Sequence, residues 1–557
     1  MSTSAATLQS PTPSQIARGL AAALPADLSK NSFIGILGVI MGAGIVTLIG
    51  RMLTLGLADL KGHLGISYDD GAWIGSAFNV GLMFIGPFTV YLGALIPPRR
   101  ILIFSAVIFT LLCAYLPFIH TYRLLIVALV LAGLTSGTFY PLTLTFALTA
   151  APVRFLPFTL ALYATFVDAA VNIAPALYGF YRNLFSWQWM FWTSVLLTPI
   201  MILCIYKGIP ASSATRKSGQ VPSFAGFLYA SAGFALLYAA LDQGERLDWW
   251  HSGLFSGLAL SGLSLLSLAM VRRLRSPNPL VDLPYLRKCN TLLLGASLIL
   301  FRFCLLATAF LIPQSLAIHG FQADQIGPAV IWTAAPQLII AIVAALLLLS
   351  HVDPRLVLAA GFSCMAFAAC IDAGLTSAWS APDFYRTELL TGVGQSFAFV
   401  GLVSMILLQS FFSGGLSKPE RILTFSAFFH TVRLFGGELG IAFMGHFIVE
   451  RENLHSNLLG LHVQSGNWIT EGNIRALTAG VYSRSDGLVA SAGRAAELVA
   501  GRLRMQAYIL TFMDAFYLVA WASVITLVLI AMLQQSPLNY GDLREAQQHL
   551  PASGEKR

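Results

Sequence analysis

The chain alternates long apolar stretches with short polar ones, and fourteen apolar stretches are long enough to cross a bilayer. An α-helix rises about 1.5 Å per residue, so roughly 20 apolar residues span about 30 Å of hydrocarbon. Strands of a membrane barrel would instead alternate over about ten residues. The predicted spans, to within a few residues, are 34–60, 72–96, 101–119, 123–149, 155–181, 187–206, 223–242, 252–271, 290–316, 325–350, 355–375, 385–411, 422–449 and 506–533.

The composition indicates the same class of protein. Only 10% of the 557 residues are charged and 57% are hydrophobic, which is too little charge for the surface of a soluble protein of this length. The chain contains no HExxH, GxSxG or glycine-rich phosphate loop, and its six cysteines lack metal-ligand spacing. We therefore predict an all-α integral membrane protein that is not an enzyme and holds no cofactor or metal.

Basic residues are distributed unequally between the two sets of short loops and tails. The set that includes both termini holds 19 Lys and Arg, and the opposite set holds 5. The positive-inside rule therefore places both termini in the cytoplasm. The net charge of +8 follows from this topology and does not indicate nucleic acid. The first apolar run exceeds a signal-peptide core, so we expect a multi-pass protein of the cell inner membrane.

Two basic linkers divide the spans into groups of six, two and six. We predict a cytoplasmic N-terminal tail, an N-terminal six-helix bundle, linkers with two additional helices, a C-terminal six-helix bundle and a cytoplasmic C-terminal tail, with boundaries at 1–33, 34–206, 207–289, 290–533 and 534–557. The last bundle includes a periplasmic loop, 451–505. Apolar residues at near-helical spacing predict a short amphipathic helix over 486–505 of this loop.

Five short motifs occur at particular spans. Residues 72–78, AWIGSAF, resemble a QWVITSY entry to helix 2, and Gly133, Gly137 and Pro141 keep the spacing of a glycine-rich helix 4. Residues 174–191 contain Ala-Pro, Gly179 and SWQWMF, residues 430–440 resemble NxxRxxGGxxG, and residues 505–516 resemble RQA…DAF. With the arrangement of six, two and six spans, the chain resembles the fourteen-helix drug:proton antiporters of the major facilitator superfamily, the EmrB/QacA-type group.

This resemblance implies a major facilitator fold with a central cavity, alternating access and proton coupling. However, the residues that usually carry protons in that family are largely replaced. Ile49 stands at the position of the helix 1 Asp, and Leu129 at that of the helix 4 Arg. The gating loop between spans 2 and 3 keeps Arg99 and Arg100 but has lost its carboxylate. The proton carrier must therefore be sought among other charges.

Three ionisable residues inside spans are candidates for proton coupling: Asp168, Glu438 and Arg51. A charge near the bilayer centre costs about 2.5–3.5 kcal/mol and usually faces a cavity or a partner. Asp168 is the foremost candidate, and the competing interpretation is a fixed ion pair with Arg51. Glu438 either carries a proton or touches water in the outer half. Arg51 either attracts an anionic substrate or modulates Asp168, and the competing interpretation is an arginine that extends to the interface.

The candidates for the substrate cavity are further polar or aromatic residues inside spans. Arg302 lies deep, and its planar donor fork suits a carboxylate or phenolate; the alternative is a bond to helix-end carbonyls. For Tyr140 and Tyr163, ordinary packing competes with an aromatic cavity wall. We expect Glu388 and Asp514 to be structural. The remaining cavity candidates are Asn79, Gln314, Gln395 and Arg433.

The predicted function is secondary active transport, by proton-coupled efflux of small amphipathic or aromatic, including anionic, compounds or drugs across the inner membrane. The sequence does not reveal the direction of transport, because a central cavity can serve import as well as export. The alternatives are an importer or uniporter of a small metabolite, and a transport-inactive scaffold or sensor. The expected partners are the small-molecule substrate, protons and the lipid bilayer. The resemblance adds a periplasmic adaptor of the membrane-fusion type, docked on 451–505, and an outer-membrane channel; the alternative for that segment is a helix on the membrane surface.

Overall fold

The computed structural model of the chain describes residues 25, 28–211, 223–275, 287–412, 419–464, 466–484, 487–536 and 539–548. Within this part of the chain, 14 helices are long and apolar enough to cross a membrane, in agreement with the prediction. Most of the predicted N-terminal tail, part of the predicted C-terminal tail and much of both linkers lie outside the described residues. The spans, numbered 1 to 14, are Lys30–Leu55, Tyr68–Leu95, Pro98–Phe118, Tyr122–Ala150, Val153–Leu184, Trp189–Gly208, Phe224–Gln243, Gly253–Leu274, Cys289–Ile318, Ala323–Leu349, Pro354–Asp372, Ala381–Phe411, Ile422–Gly460 and Leu488–Met532.

An even number of spans brings the two ends of the chain to one face of the molecule. Gln547, in the C-terminal helix Tyr540–Gln548, donates a hydrogen bond from Nε2 to the Pro25 carbonyl at 2.9 Å. We call this side the terminal face and the opposite side the far face. The C-terminal helix also contacts Val153–Phe155 at the start of span 5 and the last turns of span 10, so it bridges both bundles.

The two six-helix bundles meet chiefly along four pairs of spans: 5 with 10, 5 with 12, 13 with 2, and 13 with 4. Span 7 packs on spans 2 and 13, while span 8 packs on span 7. The central pair therefore lies beside the junction of the two bundles. This position gives span 7 contact with both bundles at once.

Glycines allow several spans to approach within backbone contact. A Cβ on Gly133 of span 4 would lie 2.0 Å from the Phe78 carbonyl oxygen of span 2. On the far face, a Cβ on Gly179 would lie 2.8 Å from Asp324 Cα, and one on Gly327 would lie 2.6 Å from Ala176 Cα. Small residues are the usual means of close helix contact in membranes. The junction of spans 5 and 10 is thus closed at the far face.

Span 9 is interrupted by a π-helical turn, Ala307–Leu311, between the α-helical pieces Cys289–Cys304 and Ile312–Ile318. The cause is in the sequence, because Pro313 lacks the N–H that would bond to the carbonyl of Ala309 one turn earlier. The freed carbonyl accepts a hydrogen bond from the guanidinium of Arg51 in span 1. Arg51 of the N-terminal bundle therefore supplies the hydrogen bond that this carbonyl of the C-terminal bundle lacks within its own helix.

The predicted loop 451–505 is mostly helical, which corrects the sequence interpretation. The helix of span 13 continues to Gly460 and that of span 14 begins at Leu488, with a separate helix, Trp468–Val481, between them. The predicted amphipathic helix is thus the first part of span 14. Ion pairs between the two long helices, Arg451 with Asp514 at 3.4 Å and Arg504 with Glu452 at 3.3 Å, stabilise the extension. We call it the far-face hairpin.

Candidate substrate and proton site

An aromatic and basic cluster lies where span 13 meets span 4. The Arg433 guanidinium lies over the Tyr140 ring, 5.0 Å from its centroid. The Tyr140 hydroxyl is 2.7 Å from Thr47 Oγ1 of span 1, and its ring stacks on His430 at 5.2 Å. Arg433 is only 3% exposed. The cluster therefore joins the two bundles through a buried cation.

Further rings extend this cluster into the C-terminal bundle. His430 Nε2 is 3.3 Å from the Tyr163 hydroxyl of span 5. The Tyr163 ring lies 6.4 Å from Phe399, which stacks on Phe301 at 5.2 Å. Two of the predicted cavity residues, Tyr140 and Tyr163, thus belong to one aromatic surface shared by spans 4, 5, 9, 12 and 13. Separation of the bundles would expose this surface.

Asp168 lies beside this cluster on span 5 and is 4% exposed. Asp168 borders a small cavity of about 10 Å³, which is also lined by Asn172, Leu305 and Gln395. That is room for about one water. Among the described residues its carboxyl accepts no hydrogen bond, and the charges of Arg302 and Arg433 act on it from the other bundle. Asp168 is therefore buried beside cations without being held by them.

Arg302 projects from span 9 against a glycine of span 13. A Cβ on Gly437 would lie 2.8 Å from Arg302 Nη2 and 3.0 Å from its Nε, so this glycine makes space for the guanidinium. The side chain is half-buried, and Nε has no hydrogen-bond partner within the described part of the chain. The structure gives no support to the alternative of a bond to helix-end carbonyls. A donor is left available to a bound anion.

A chain of amides joins the bundles next to the Asp168 cavity. Asn172 Nδ2 of span 5 and Gln337 Nε2 of span 10 each donate to Gln395 Oε1 of span 12 at 3.0 Å. Gln395 was predicted as a cavity residue and borders that cavity. Asn172 and Gln337 were missed, because single amides in apolar spans give no signal of a shared partner.

One predicted alternative for Arg51, extension to the interface, is wrong, and an effect of Arg51 on an anionic substrate or on Asp168 stays a prediction. The Arg51 guanidinium bonds to the Ala309 carbonyl, so it does not extend to the interface. In the described structure it forms no ion pair with Asp168. Its Nε is buried without a partner. Arg51 therefore joins span 1 to the π-helical turn of span 9.

Glu438 is 3% exposed, which rules out the alternative of a carboxylate touching water. Its carboxyl faces the side chains of Tyr238 and Asp242 of span 7. Asp242 also accepts from Ser76 and, at 3.1 Å, from Gln243 Nε2. Sequence reasoning missed Asp242 because it ends an apolar stretch, where a carboxylate is expected to face water.

The other predicted residues lie away from the cluster. Asn79 of span 2 is half-buried, and Arg100 is exposed. Arg99 donates from Nη2 to the Tyr206 carbonyl at 2.8 Å, so in this conformation it fastens span 3 to span 6 within one bundle. Gln314 is exposed and does not border the cavity at Asp168.

The two carboxylates predicted to be structural have fixed partners. Glu388 accepts hydrogen bonds from Thr308 at 2.9 Å and from Thr333. Asp514 contacts Arg451 and, at 2.9 Å, His455 Nε2. Glu388 therefore joins span 12 to spans 9 and 10, and Asp514 joins the long helices of the far-face hairpin.

Comparison with known proteins gives one family. The sequence model described as Major Facilitator Superfamily matches residues 36–441. Multidrug export protein EmrB of Escherichia coli K12 is 24% identical over 487 residues, covering 85% of this chain and 89% of that protein. Fatty acid resistance protein FarB of Neisseria gonorrhoeae is 25% identical over 421 residues, covering 72% of this chain and 78% of that protein.

A third relative and a solved structure agree with these matches. Colistin resistance protein EmrB of Acinetobacter baumannii is 22% identical over 464 residues, covering 81% of this chain and 87% of that protein. The solved structure of the proton:xylose symporter XylE, bound to 6-bromo-6-deoxy-D-glucose, has a TM-score of 0.55 at 10% identity and covers 93% of this chain and 99% of that one. This structural likeness concerns the fold.

Proposed function

The chain belongs to the Major Facilitator Superfamily, and from that premise we propose that it exports small amphipathic or aromatic compounds, including anionic ones, in exchange for protons. It works by alternating access across the bacterial inner membrane, with the terminal face in the cytoplasm. The names of the relatives, multidrug export, fatty acid resistance and colistin resistance, support export of amphipathic compounds. Asp168 is the primary proton carrier.

One observation supports this proposal: Asp168 lies buried between the bundles, beside Arg302 and Arg433, yet no described residue donates a hydrogen bond to it. A carboxyl held by a fixed ion pair would stay ionised throughout a transport cycle. A desolvated carboxyl with cations nearby but not in contact changes its protonation when those cations move or bind a ligand. Rocking of one bundle against the other changes that distance in every cycle.

The same geometry supports the substrate class. The cavity at Asp168 has room for about one water, so substrate enters only when the bundles separate. The surfaces then exposed are the rings of Tyr140, Tyr163 and Phe399 and the guanidiniums of Arg302 and Arg433. Rings suit amphipathic and aromatic ligands, and the paired guanidiniums suit a carboxylate or phenolate.

Proton release on substrate addition tests the proposal. Exchange requires that proton and substrate occupy the carrier alternately, so a substrate added to purified protein in weakly buffered detergent must release protons. We expect release from wild type, its loss in Asp168→Asn, and its retention in Asp514→Asn, a matched carboxylate whose partners lie in the far-face hairpin. The probes are an aromatic carboxylate and a neutral phenol.

Other results of the same experiment would support one of the alternative functions. Binding with proton uptake would indicate cotransport and favour the importer. Binding without any proton change, equal in all three proteins, would favour a uniporter and make Asp168 structural. Absence of binding to all probes, with a folded protein, would favour the scaffold or sensor.

We also infer that the far-face hairpin docks a periplasmic adaptor of the membrane-fusion type, which would continue to an outer-membrane channel. The helix of span 13 has 42 residues, about 63 Å at about 1.5 Å per residue, against about 30 Å of hydrocarbon. The far-face hairpin presents exposed apolar side chains, among them Trp468 at 81% and Val489 at 87% exposure. If the segment rested on the membrane surface instead, the same side chains would lie among the headgroups.

A photo-crosslinking amino acid at Val489 tests this docking in whole cells. We expect a specific adduct with an adaptor-sized periplasmic protein from position 489, and none from the exposed Leu260 of span 8, which faces lipid. Adducts with lipid alone from position 489 would contradict docking and support the surface helix.

A further inference from the structure

Span 7 of the central pair lies parallel to span 13 in a fixed register. Phe234 contacts Phe435 with ring centroids 5.9 Å apart, Tyr238 contacts Glu438, and Glu245 Oε2 lies 3.0 Å from His446 Nδ1. The contacts advance in step along both helices, as parallel helices require. Tyr238 and Asp242 are four residues apart, so they lie on one face of span 7 and both meet Glu438.

The carboxyl groups of Asp242 and Glu438 face each other where span 7 packs on span 13. An ionised carboxylate only accepts hydrogen bonds, so the two carboxyl groups can bond to each other only when one of them carries a proton. Glu438 is 3% exposed, and its Oε1 has no donor within the described residues. Two carboxylates buried side by side in this way cannot both be charged without a large cost.

The charged groups around the pair do not neutralise it. Arg246 acts on Asp242 from a distance, while its own bonds go to Gln243 Oε1 at 2.6 Å and Asp69 Oδ1 at 3.1 Å. Arg302 of span 9 acts on the neighbouring Tyr238. Span 2 contributes only the Ser76 hydroxyl, which donates to Asp242. In the described structure, neither carboxyl forms an ion pair.

We propose that Asp242 and Glu438 form a second proton-binding site, in which one shared proton fastens span 7 of the central pair to span 13 of the C-terminal bundle. Loss of the proton leaves two facing carboxylates and drives the helices apart. Span 7 also bonds to span 2 through Asp242 and Ser76, so the site senses the position of both bundles. The proposal rests on proton-coupled transport for its role in the cycle, but the existence of the bound proton does not depend on it.

Infrared spectroscopy of the full-length protein in lipid membranes detects the proton directly. A protonated carboxyl has a C=O stretch distinct from a carboxylate, and a difference spectrum between acidic and alkaline buffer isolates it. Besides the band of Asp168, we expect one further buried carboxyl band that is lost in Asp242→Asn and equally in Glu438→Gln. Because the proton is shared, the double variant should lose no more than either single variant. Asp168→Asn is the matched control and should retain this band.

Each result decides the proposal. Asparagine and glutamine imitate the protonated carboxyl groups and can still accept hydrogen bonds from Ser76 and Tyr238, so we expect both variants to fold. Thermal stability equal to that of the wild type checks this expectation. A further band that survives both single variants, or two independent further bands that vanish one by one, would overturn the shared proton. If wild type shows the shared band but no proton release with substrate, the site stands and proton-coupled export fails.

Discussion

At the scale of single residues, the molecule keeps charge inside the membrane without pairing it tightly. Asp168 lies near Arg302 and Arg433 without a hydrogen bond, and the Nε atoms of both arginines lack partners in the described structure. Unpaired buried donors are costly. Such a cost is retained at sites where a ligand or a moving group completes the bonds.

Gly437 tests whether the position of Arg302 matters for substrate. A methyl group there would meet the guanidinium at 2.8 Å, and the flexible side chain would move rather than the helix. We expect Gly437→Ala to weaken binding of an aromatic carboxylate about tenfold, or ~1.4 kcal/mol for one lost charged hydrogen bond, with thermal stability kept. Gly445→Ala, on the same span with nothing within 4 Å, should bind as wild type. Equal affinity of the two variants would contradict this role.

The sequence was sufficient to find most of the charged residues, but not their partners. Asp168, Arg302 and Glu438 stand out because each interrupts an apolar span. Asp242 and the Ala309 carbonyl do not, since one lies at the end of a stretch and the other is backbone. Their partners are brought together only by packing between distant spans, which a single sequence does not record.

At the scale of elements, two features characterise this chain: the π-helical turn in span 9 and the extension of spans 13 and 14 into the far-face hairpin. The positions of the fourteen spans follow from hydropathy alone, and the structure confirms them. The π-helical turn and the far-face hairpin do not. The first requires that Pro313 free a carbonyl that another span then binds. The second requires ion pairs between helices that lie far apart in sequence, so its polar residues resemble a loop.

The contact of Arg51 with the π-helical turn makes a quantitative prediction. Arg51→Met should lower the free energy of unfolding by about 1.5–3 kcal/mol, the value of a charged hydrogen bond. In Pro313→Ala, residue 313 regains an N–H for the Ala309 carbonyl, so the same substitution should cost less. A double-mutant cycle on unfolding in mixed micelles measures this coupling. Strictly additive losses would show that the proline and the arginine act independently.

At the scale of the whole molecule, the described conformation is closed at both faces. Gly179 and Gly327 bring spans 5 and 10 together at the far face. At the terminal face the C-terminal helix covers both bundles, with the Tyr540 hydroxyl donating to the Ser404 carbonyl at 3.3 Å and His351 facing Asp542 at 3.6 Å. An occluded intermediate of alternating access has this form.

Truncation tests the C-terminal helix as a closure of the terminal face. A chain ending at Ser536 should make residue 404, which is fully buried, accessible from that face. With Ser404→Cys, we expect faster reaction with a membrane-impermeant maleimide than in the full chain. A chain ending at Gln548 keeps the helix and is the control. Equal rates in all three chains would show that the helix does not govern access.

The central claim is exchange of substrate for protons through Asp168, and transport by proteoliposomes with an acidic lumen tests it most directly. Protons leaving the lumen should drive an aromatic substrate inward above its external concentration in wild type, and not in Asp168→Asn or in protein-free liposomes. Accumulation that persists in Asp168→Asn would contradict the role of Asp168. Equilibration without accumulation, or substrate movement in the direction of the protons, would contradict exchange itself.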